Sequence, residues 1–313
     1  MRWLSTVWLL CFLPLFAVKT SFWACHPAYA DAGELVCWKL TKGQRFDVTM
    51  NQEMEQITVI LGNEVKVPQT TRMEMAWTIN EVDEQGNFRI TQEIKRLKVA
   101  TQLPGQGELI YDSNEADPSA GLATQLSTIM GPMINARIEQ TMSPQGEVWD
   151  VKFPNAALAG LQQAPILKGM LSDEMMKKSF ALSSPEFPKE ALAKGQMWKT
   201  NAETKSPLGV MKVTNSYTYG GTVQRAGKNF ELMGVTVNTV FGADGNTLGT
   251  KVEVKDQVSE GQILFDNENG YLVESKVKTN MTMLITAFGQ SMDQKTEATQ
   301  TLTFTPVEQE SLK

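Results

Sequence analysis

The feature that most restricts the fold of this chain is a two-residue alternation running through most of its length. Thr71, Met73, Met75, Trp77 and Ile79 fall on one register, with Arg72, Glu74, Thr78 and Asn80 on the other. Side chains of a strand point to opposite faces in turn, so this pattern lays down one buried and one wetted face. The run Asp83-Glu84-Gln85-Gly86-Asn87 is turn chemistry and leads into Phe88 and Ile90, which makes a hairpin. Near the C-terminus Ala298, Leu302 and Phe304 alternate with Glu297, Thr299, Thr301, Thr303 and Thr305. Threonines suit the exposed face of a strand because the branched side chain tolerates the pleat. Further strands are expected over 44–51, 56–61, 136–142, 147–153, 196–203, 208–219, 229–241, 250–258, 262–266 and 271–285.

Two stretches break the alternation. Asp117-Pro118 offers an N-cap and a first-turn proline, and Leu122, Leu126, Ile129, Met130 and Met133 then recur at helical spacing, predicting a helix over 117–134. A second helical segment is expected over 155–182, interrupted by Pro165, with Leu158, Leu161, Ile166, Met170, Leu171, Met175 and Phe180 as its apolar positions. It ends at Ser183-Ser184-Pro185-Glu186-Phe187-Pro188, which reads as the boundary between residues 31–184 and residues 185–313. The two parts carry related signals. Lys42-Gly43-Gln44-Arg45-Phe46 is echoed by Lys194-Gly195-Gln196-Met197-Trp198, and the Val82 to Ile90 turn by Val223 to Leu232. Gly146 before Glu147-Val148 matches Gly270 before Tyr271-Leu272. The expected fold is therefore mainly β, of the α+β kind. It comprises antiparallel curved sheets or half-barrels in two related halves, with two helical segments packed on them.

The first thirty residues decide which chemistry is open to the chain. Arg2 precedes an uncharged apolar run from Trp3 to Val18, and Ala28-Tyr29-Ala30 stands before Asp31. The run is short for a bilayer span and fits a signal peptide, 1–30, cleaved near Ala30. Cleavage removes His26, the single histidine in the sequence, together with Cys11 and Cys25. The chain from 31 to 313 then lacks an imidazole for a Ser-His or Cys-His nucleophile or for a histidine-bound metal, and Cys37 alone makes no internal disulfide. Losing Arg2 and Lys19 from the 29 basic residues leaves 27 against 35 acidic ones, a net charge of −8, where the whole sequence carries −6. That balance argues against a phosphate backbone as partner. No second apolar run long enough to span a membrane occurs, so an extracytoplasmic protein, periplasmic or secreted, is expected.

The G-Q-x-[FW] strand openings at 43–46 and 195–198 and the V-x3-G-x-F turns resemble a family of uncharacterised secreted bacterial proteins of similar length, over residues 38–305. More remotely, the long strands with a few helices resemble the lipoprotein-carrier and lipoprotein-receptor half-barrels of the Gram-negative envelope. That resemblance implies a curved sheet wrapped around helices and an apolar cavity, and it implies no catalytic residues.

Methionine is abundant, with 17 in the sequence, and includes Met73-x-Met75 and Met281-x-Met283. Thioethers two apart on a strand share a face and could hold a soft metal, but without histidine or M-x-x-M repeats a deformable apolar wall is the better reading. The acidic turns around Asp112, Asp244 and Asp266 miss the calcium-loop spacing and fit hairpin connections. Asp47, Glu74, Glu93 and Asp150 lie within strand patterns and are the candidates for a histidine-free carboxylate hydrolase. The leading expectation is a non-catalytic exported protein that holds a lipid, another apolar ligand or a lipidated partner between sheet and helices. Its binding residues would be Met73, Met75, Trp77, Leu126, Met130, Met133, Met170, Met281 and Met283. No catalytic residue, metal ligand or cofactor is assigned. A ligand-free structural or protein-interaction module of the envelope is the alternative, with the hydrolase a weaker one.

Overall fold

The computed structural model describes residues 33–60, 63–105, 107–115, 122–155, 157, 184–206, 209–242, 250–287 and 290–308. In chain order the strands are β1 (Arg45–Ile60), β2 (Asn63–Val82), β3 (Phe88–Leu103), β4 (Gly107–Asp112), β5 (Arg137–Met142) and β6 (Val148–Lys152). They continue as β7 (Met197–Ser206), β8 (Gly209–Arg225), β9 (Lys228–Gly242), β10 (Lys251–Asp266), β11 (Tyr271–Ala287) and β12 (Gln290–Pro306). All twelve join one open, curved antiparallel sheet in the order β6-β5-β3-β2-β1-β12-β11-β10-β9-β8-β7, with β4 hairpinned onto the far end of β3. Each half of the chain meanders in sequence, and the two meet where β1 pairs β12 from Phe46↔Pro306 to Thr58↔Gln294.

Several expected strands prove to be pieces of longer ones. The segments 44–51 and 56–61 fuse into β1, and 250–258 and 262–266 into β10. The apolar signal lapses over 52–55 and 259–261, at Gln52 and Ser259, yet the alternation of the backbone does not. Of the helix expected over 117–134, the described part stops before 134. It is a single α1 (Leu122–Met130) followed by a 3-10 turn over Gly131–Met133, where Pro132 lacks the N–H that would continue it. Residues 116–121 lie outside the described residues, as does the helix expected over 155–182, apart from residues 155 and 157, which are helical. Among the described residues α1 is the one α-helix with both ends in view, so two helical segments packed on the sheet are not borne out among them. None of these residues forms a helix long and apolar enough to cross a membrane, a statement that leaves strands aside. The leader 1–30 also lies outside them.

One end of the sheet is closed by the segment Gly33–Gln44, which crosses the hairpin turns. Trp38 N–H donates to Pro144 O at 2.8 Å and Lys39 N–H to Gly270 O at 2.9 Å. Glu34 and Leu192 exchange backbone bonds at 3.0 and 2.8 Å, and Asn267 Nδ2 donates to Glu34 Oε1 and Leu35 O. Beneath these bonds the aromatic core gathers rings from both halves. Trp38 packs edge-on against Phe265 and Phe304, Trp77 against Phe304, and Phe187 against Phe265, with centroids 4.9 to 6.2 Å apart. The edge-to-face geometry suits the ring quadrupole and adds to plain area burial.

The paired sequence signals fold alike. Gly43 N–H donates to Ile79 O and Gly195 N–H to Tyr219 O, at 2.8 and 2.7 Å. The side chains of Gln44 and Gln196 accept from Thr41 N–H and Ala193 N–H, each at 3.0 Å. Both glycines have φ of 86°.

Two predictions follow from this end of the molecule. Gly270 has φ of 70°, and a Cβ there would overlap the Lys39 backbone, whereas Gly195 has the same strain but nothing within 4 Å. Gly270→Ala should therefore lower the thermal midpoint by roughly 5–10 °C, and Gly195→Ala by clearly less, read by circular dichroism. Equal losses would remove the close approach as the cause. The second prediction concerns alkaline pH. Burial pushes the Tyr217 phenol up to about 12. Its folded value is thus above its unfolded one, so stability is intact below about pH 10 and is lost as the pH rises toward 12. Tyr217→Phe should flatten that alkaline slope in melts recorded across the range.

The inner face as candidate ligand site

On the four central strands one register is free of charge from end to end. It carries Phe46, Val48, Met50, Gln52, Met54, Gln56 and Thr58 on β1, and Val67, Gln69, Thr71, Met73, Met75, Trp77 and Ile79 on β2. On β12 it carries Gln294, Thr296, Ala298, Gln300, Leu302 and Phe304, and on β11 Ser275, Val277, Thr279, Met281 and Met283. The ladder puts these on one face, because Met50 opposes both Met73 and Leu302, Gln52 opposes Gln300, and Gln300 opposes Val277. Asp47, Glu53, Glu55, Arg72, Glu74, Lys295 and Glu297 occupy the opposite register and meet water. An ionised side chain costs far more to bury than an amide or hydroxyl, so a face carrying only the latter can be enclosed.

Burial along this face is uneven. At the closed end Phe46, Val48, Trp77 and Phe304 are buried, at 1 to 3 % exposure. At the other end Gln56, Thr58, Val67, Gln69, Thr71, Gln294 and Thr296 are buried too, at 2 to 7 %. Between the two bands Met50, Gln52, Met73, Met75, Val277, Thr279, Ala298 and Gln300 are only half-buried. Buried side chains before and after a half-buried row make this row the least covered part of the inner face between the two bands. The row crosses four adjacent strands, which at ~4.8 Å per step is about 15 Å. Its surface is thioether, methyl and neutral amide.

The expected site residues divide as follows. Met73 and Met75 belong to the half-buried belt, whereas Trp77 is sealed in the aromatic core. Leu126 lies on α1 in a small cluster with Leu97, Val99 and Tyr111, and Met73 and Met130 pack against that cluster. Met133 is buried in the main core. Met281 and Met283 share the face but stand across from Thr296 and Gln294, beyond the belt. Met170 lies outside the described residues. The belt residues Met50, Gln52, Val277, Thr279, Ala298 and Gln300 escape a search for apolar clusters. The signal that finds them is the charge-free register.

Other candidates are accounted for by local bonding. Glu74 accepts from Arg72 Nε at 2.8 Å, Glu93 pairs with Lys95 and Asp150 with Lys152, all turned outward, and Asp47 is exposed; no two of these face each other across a cleft. Asp112 is gripped by Arg96, with Nε donating to Oδ1 at 2.9 Å, which holds its carboxyl below the ordinary range. In the Asp266 turn, Asn269 N–H and Nδ2 donate to the two Asp266 oxygens. The Asp244 turn lies outside the described residues. Ser275-Lys276-Val277-Lys278 has serine–lysine spacing, but Ser275 faces inward and Lys278 lies on the opposite, exposed register, so they do not meet. Among the described residues no three of His, Cys, Asp or Glu gather into a metal-holding group. Cys37 is half-buried, its N–H donating to Asn267 Oδ1.

No curated protein matches the chain. Among solved structures it is similar to lipovitellin, described for its lipid–protein interactions, at 11 % identity and a TM-score of 0.45, over 87 % of this chain and 27 % of that one. It is also similar to DynF from the dynemicin biosynthesis pathway of Micromonospora chersina, at 10 % identity and a TM-score of 0.24, over 93 % and 95 % of the two chains. A third likeness is to an outer membrane channel from Pseudomonas putida F1, at 8 % identity and a TM-score of 0.23, over 90 % of this chain and 100 % of that one. The chain spans about a quarter of the length of lipovitellin, and at these TM-scores none of the three likenesses informs on fold or ligand. The sequence match is of another kind: residues 85–272, more than half of the chain, fit the DUF6263 pattern, and the protein belongs to that family of unknown function.

Proposed function

We propose that the protein is an exported binding protein that holds an apolar ligand, a lipid or the acyl group of a lipidated partner, along the half-buried belt of the inner face. The observation that carries this reading is the belt itself. Methionines, small side chains and neutral amides lie incompletely covered between two buried bands on a surface without charge. Burying a methylene of a ligand there gains about 0.8 kcal/mol, and the pliable methionines accommodate its outline. Gln52 and Gln300 offer donors and acceptors to a neutral polar group on the same molecule. A pocket that is mostly apolar with a few convergent polar groups is the usual form of a small-molecule site. The envelope location rests on the leader over residues 1–30. The division at residue 184 rests on the repeated turn bonding at Gly43 and Gly195, and we read the two meanders as tandem copies.

The test uses the purified chain from residue 31 onward with a fluorescent long-chain fatty acid. Wild-type protein should bind the probe saturably, and Ala298→Trp, which fills the belt, should weaken binding at least tenfold. Thr299→Trp, one residue along and facing outward, should bind as wild type does. Circular dichroism confirms that each variant is folded. Absence of saturable binding to wild type, or equal binding by the two tryptophan variants, would refute the assignment.

A further inference from the structure

Four of the eight buried side-chain atoms that have no hydrogen-bond partner among the described residues belong to three neighbours on one face of the first meander. They are Trp77 Nε1, Gln92 Oε1 and both amide atoms of Gln140. The three residues are 2, 3 and 2 % exposed, so bulk water does not serve them. The ladder brings them together. Trp77 on β2 opposes Gln92 on β3, and Gln92 opposes Ile138 on β5. Gln140 stands two residues beyond Ile138 on the same face, opposite Ile90. It is a diagonal neighbour of Gln92, roughly 7–8 Å away, a gap that long side chains span.

A buried polar atom without a partner costs the full desolvation of its group, and native chains carry few of them. Four together on a face of apolar side chains point to a group that the chain does not itself supply. The atoms define its chemistry. Trp77 Nε1 and Gln140 Nε2 donate, while Gln92 Oε1 and Gln140 Oε1 accept. A hydroxyl takes two N–H donors on its lone pairs and gives its proton to a carbonyl oxygen. A carboxylate only accepts, so it would set its lone pairs against both amide oxygens. It would also bring a charge that no Lys or Arg on the inner register of β2, β3 or β5 meets.

The cluster adjoins the belt. Gln92 Nε2 donates to Met75 Sδ at 3.0 Å, and Met75 is the belt residue next to Trp77 on the inner register of β2. Its thioether is a weak acceptor on a flexible stem, readily exchanged for an oxygen.

We propose that Trp77, Gln92 and Gln140 form a polar subsite at the β2 end of the belt that takes the hydroxyl head of a long-chain alcohol or monoacylglycerol. The inference rests on the belt reading and adds the head group to it. The hydroxyl accepts from Trp77 Nε1 and Gln140 Nε2 and donates to Gln92 Oε1, while the chain runs from Met75 along the belt. Gln140 Oε1 is left for the second hydroxyl of a monoacylglycerol. A fatty acid lies on the same belt with its carboxylate turned to water.

The test is calorimetric titration of the chain from residue 31 onward with 1-dodecanol and with dodecyl methyl ether, which keeps the oxygen but lacks its proton. Wild type should bind the alcohol at least tenfold more tightly than the ether. Gln140→Leu and Gln92→Leu should each reduce that preference below threefold while binding the ether as wild type does. Their thermal midpoints should equal or exceed that of wild type, because a partnerless amide gives way to a hydrocarbon. The fluorescent fatty acid should bind both variants unchanged, which separates this outcome from the belt reading. Equal affinity of wild type for alcohol and ether overturns the subsite and leaves the belt standing, whereas uptake of neither overturns both. A lower midpoint in both leucine variants would show that the amides already have partners, and it overturns the subsite as well. So does ordered water alone beside the three side chains in crystals grown with dodecanol.

Discussion

Everything in this molecule depends on the ladder between β1 and β12. Strands from opposite ends of the chain, aligned in register from Phe46↔Pro306 to Thr58↔Gln294, turn two separate meanders into one sheet. The same register brings Phe46 beside Phe304 and Met50 beside Leu302, so the aromatic core and the belt are both built across the seam. A slip by one residue would send every inward side chain outward and carry charges such as Glu297 into the interior. That cost, and not any single contact, is what specifies the pairing. Because the pairing is remote in sequence, its loop-closure cost falls early in folding, and slow assembly is expected of such a sheet.

Much of the sheet was legible because the alternation is physical and local. The 71–79 strand and its turn into Phe88 stand as read, and so does the threonine face from Thr299 to Thr305. What misled the reading was hydrophobicity used in place of charge. The gaps at 52–55 and 259–261 between the expected strands fall where Gln52 and Ser259 interrupt the apolar signal within β1 and β10. Their neighbours on the other register, Glu53, Glu55 and Glu260, are the ionised ones, so the true continuity lies in where charge is avoided. The closing segment Gly33–Gln44 was not legible at all, since its bonds run to Pro144, Leu192 and Gly270, partners that only the folded chain brings near.

The helical stretch shows the complementary limit. Spacing identified Leu126, Met130 and Met133 as one apolar face, and these residues do pack inward. Spacing could not show that Pro132 would convert the last turn to a 3-10 geometry. Nor could it show that Met73 would join Met130 and Ile134 in packing against both the cluster under α1 and the main core. Of the methionine pairs, Met73 and Met75 reach the belt because β2 is central. Met281 and Met283 sit farther along their strand, a placement set by register alone. The end of the β9–β10 ladder at Glu260↔Thr236 is likewise invisible in one dimension, because Gln257 looks like any other polar strand residue until its amide is seen bonded to Val237 and Thr239.

The account turns on an uncharged inner surface whose middle is only half-covered, and on the proposal that a ligand fills it. Crystals of the chain pressurised with xenon address that directly, since the gas enters dry apolar voids and ignores packed side chains. Xenon density in contact with Met50, Met73 and Ala298 is the predicted result. A belt that takes up no xenon while its side chains close against one another would contradict the account.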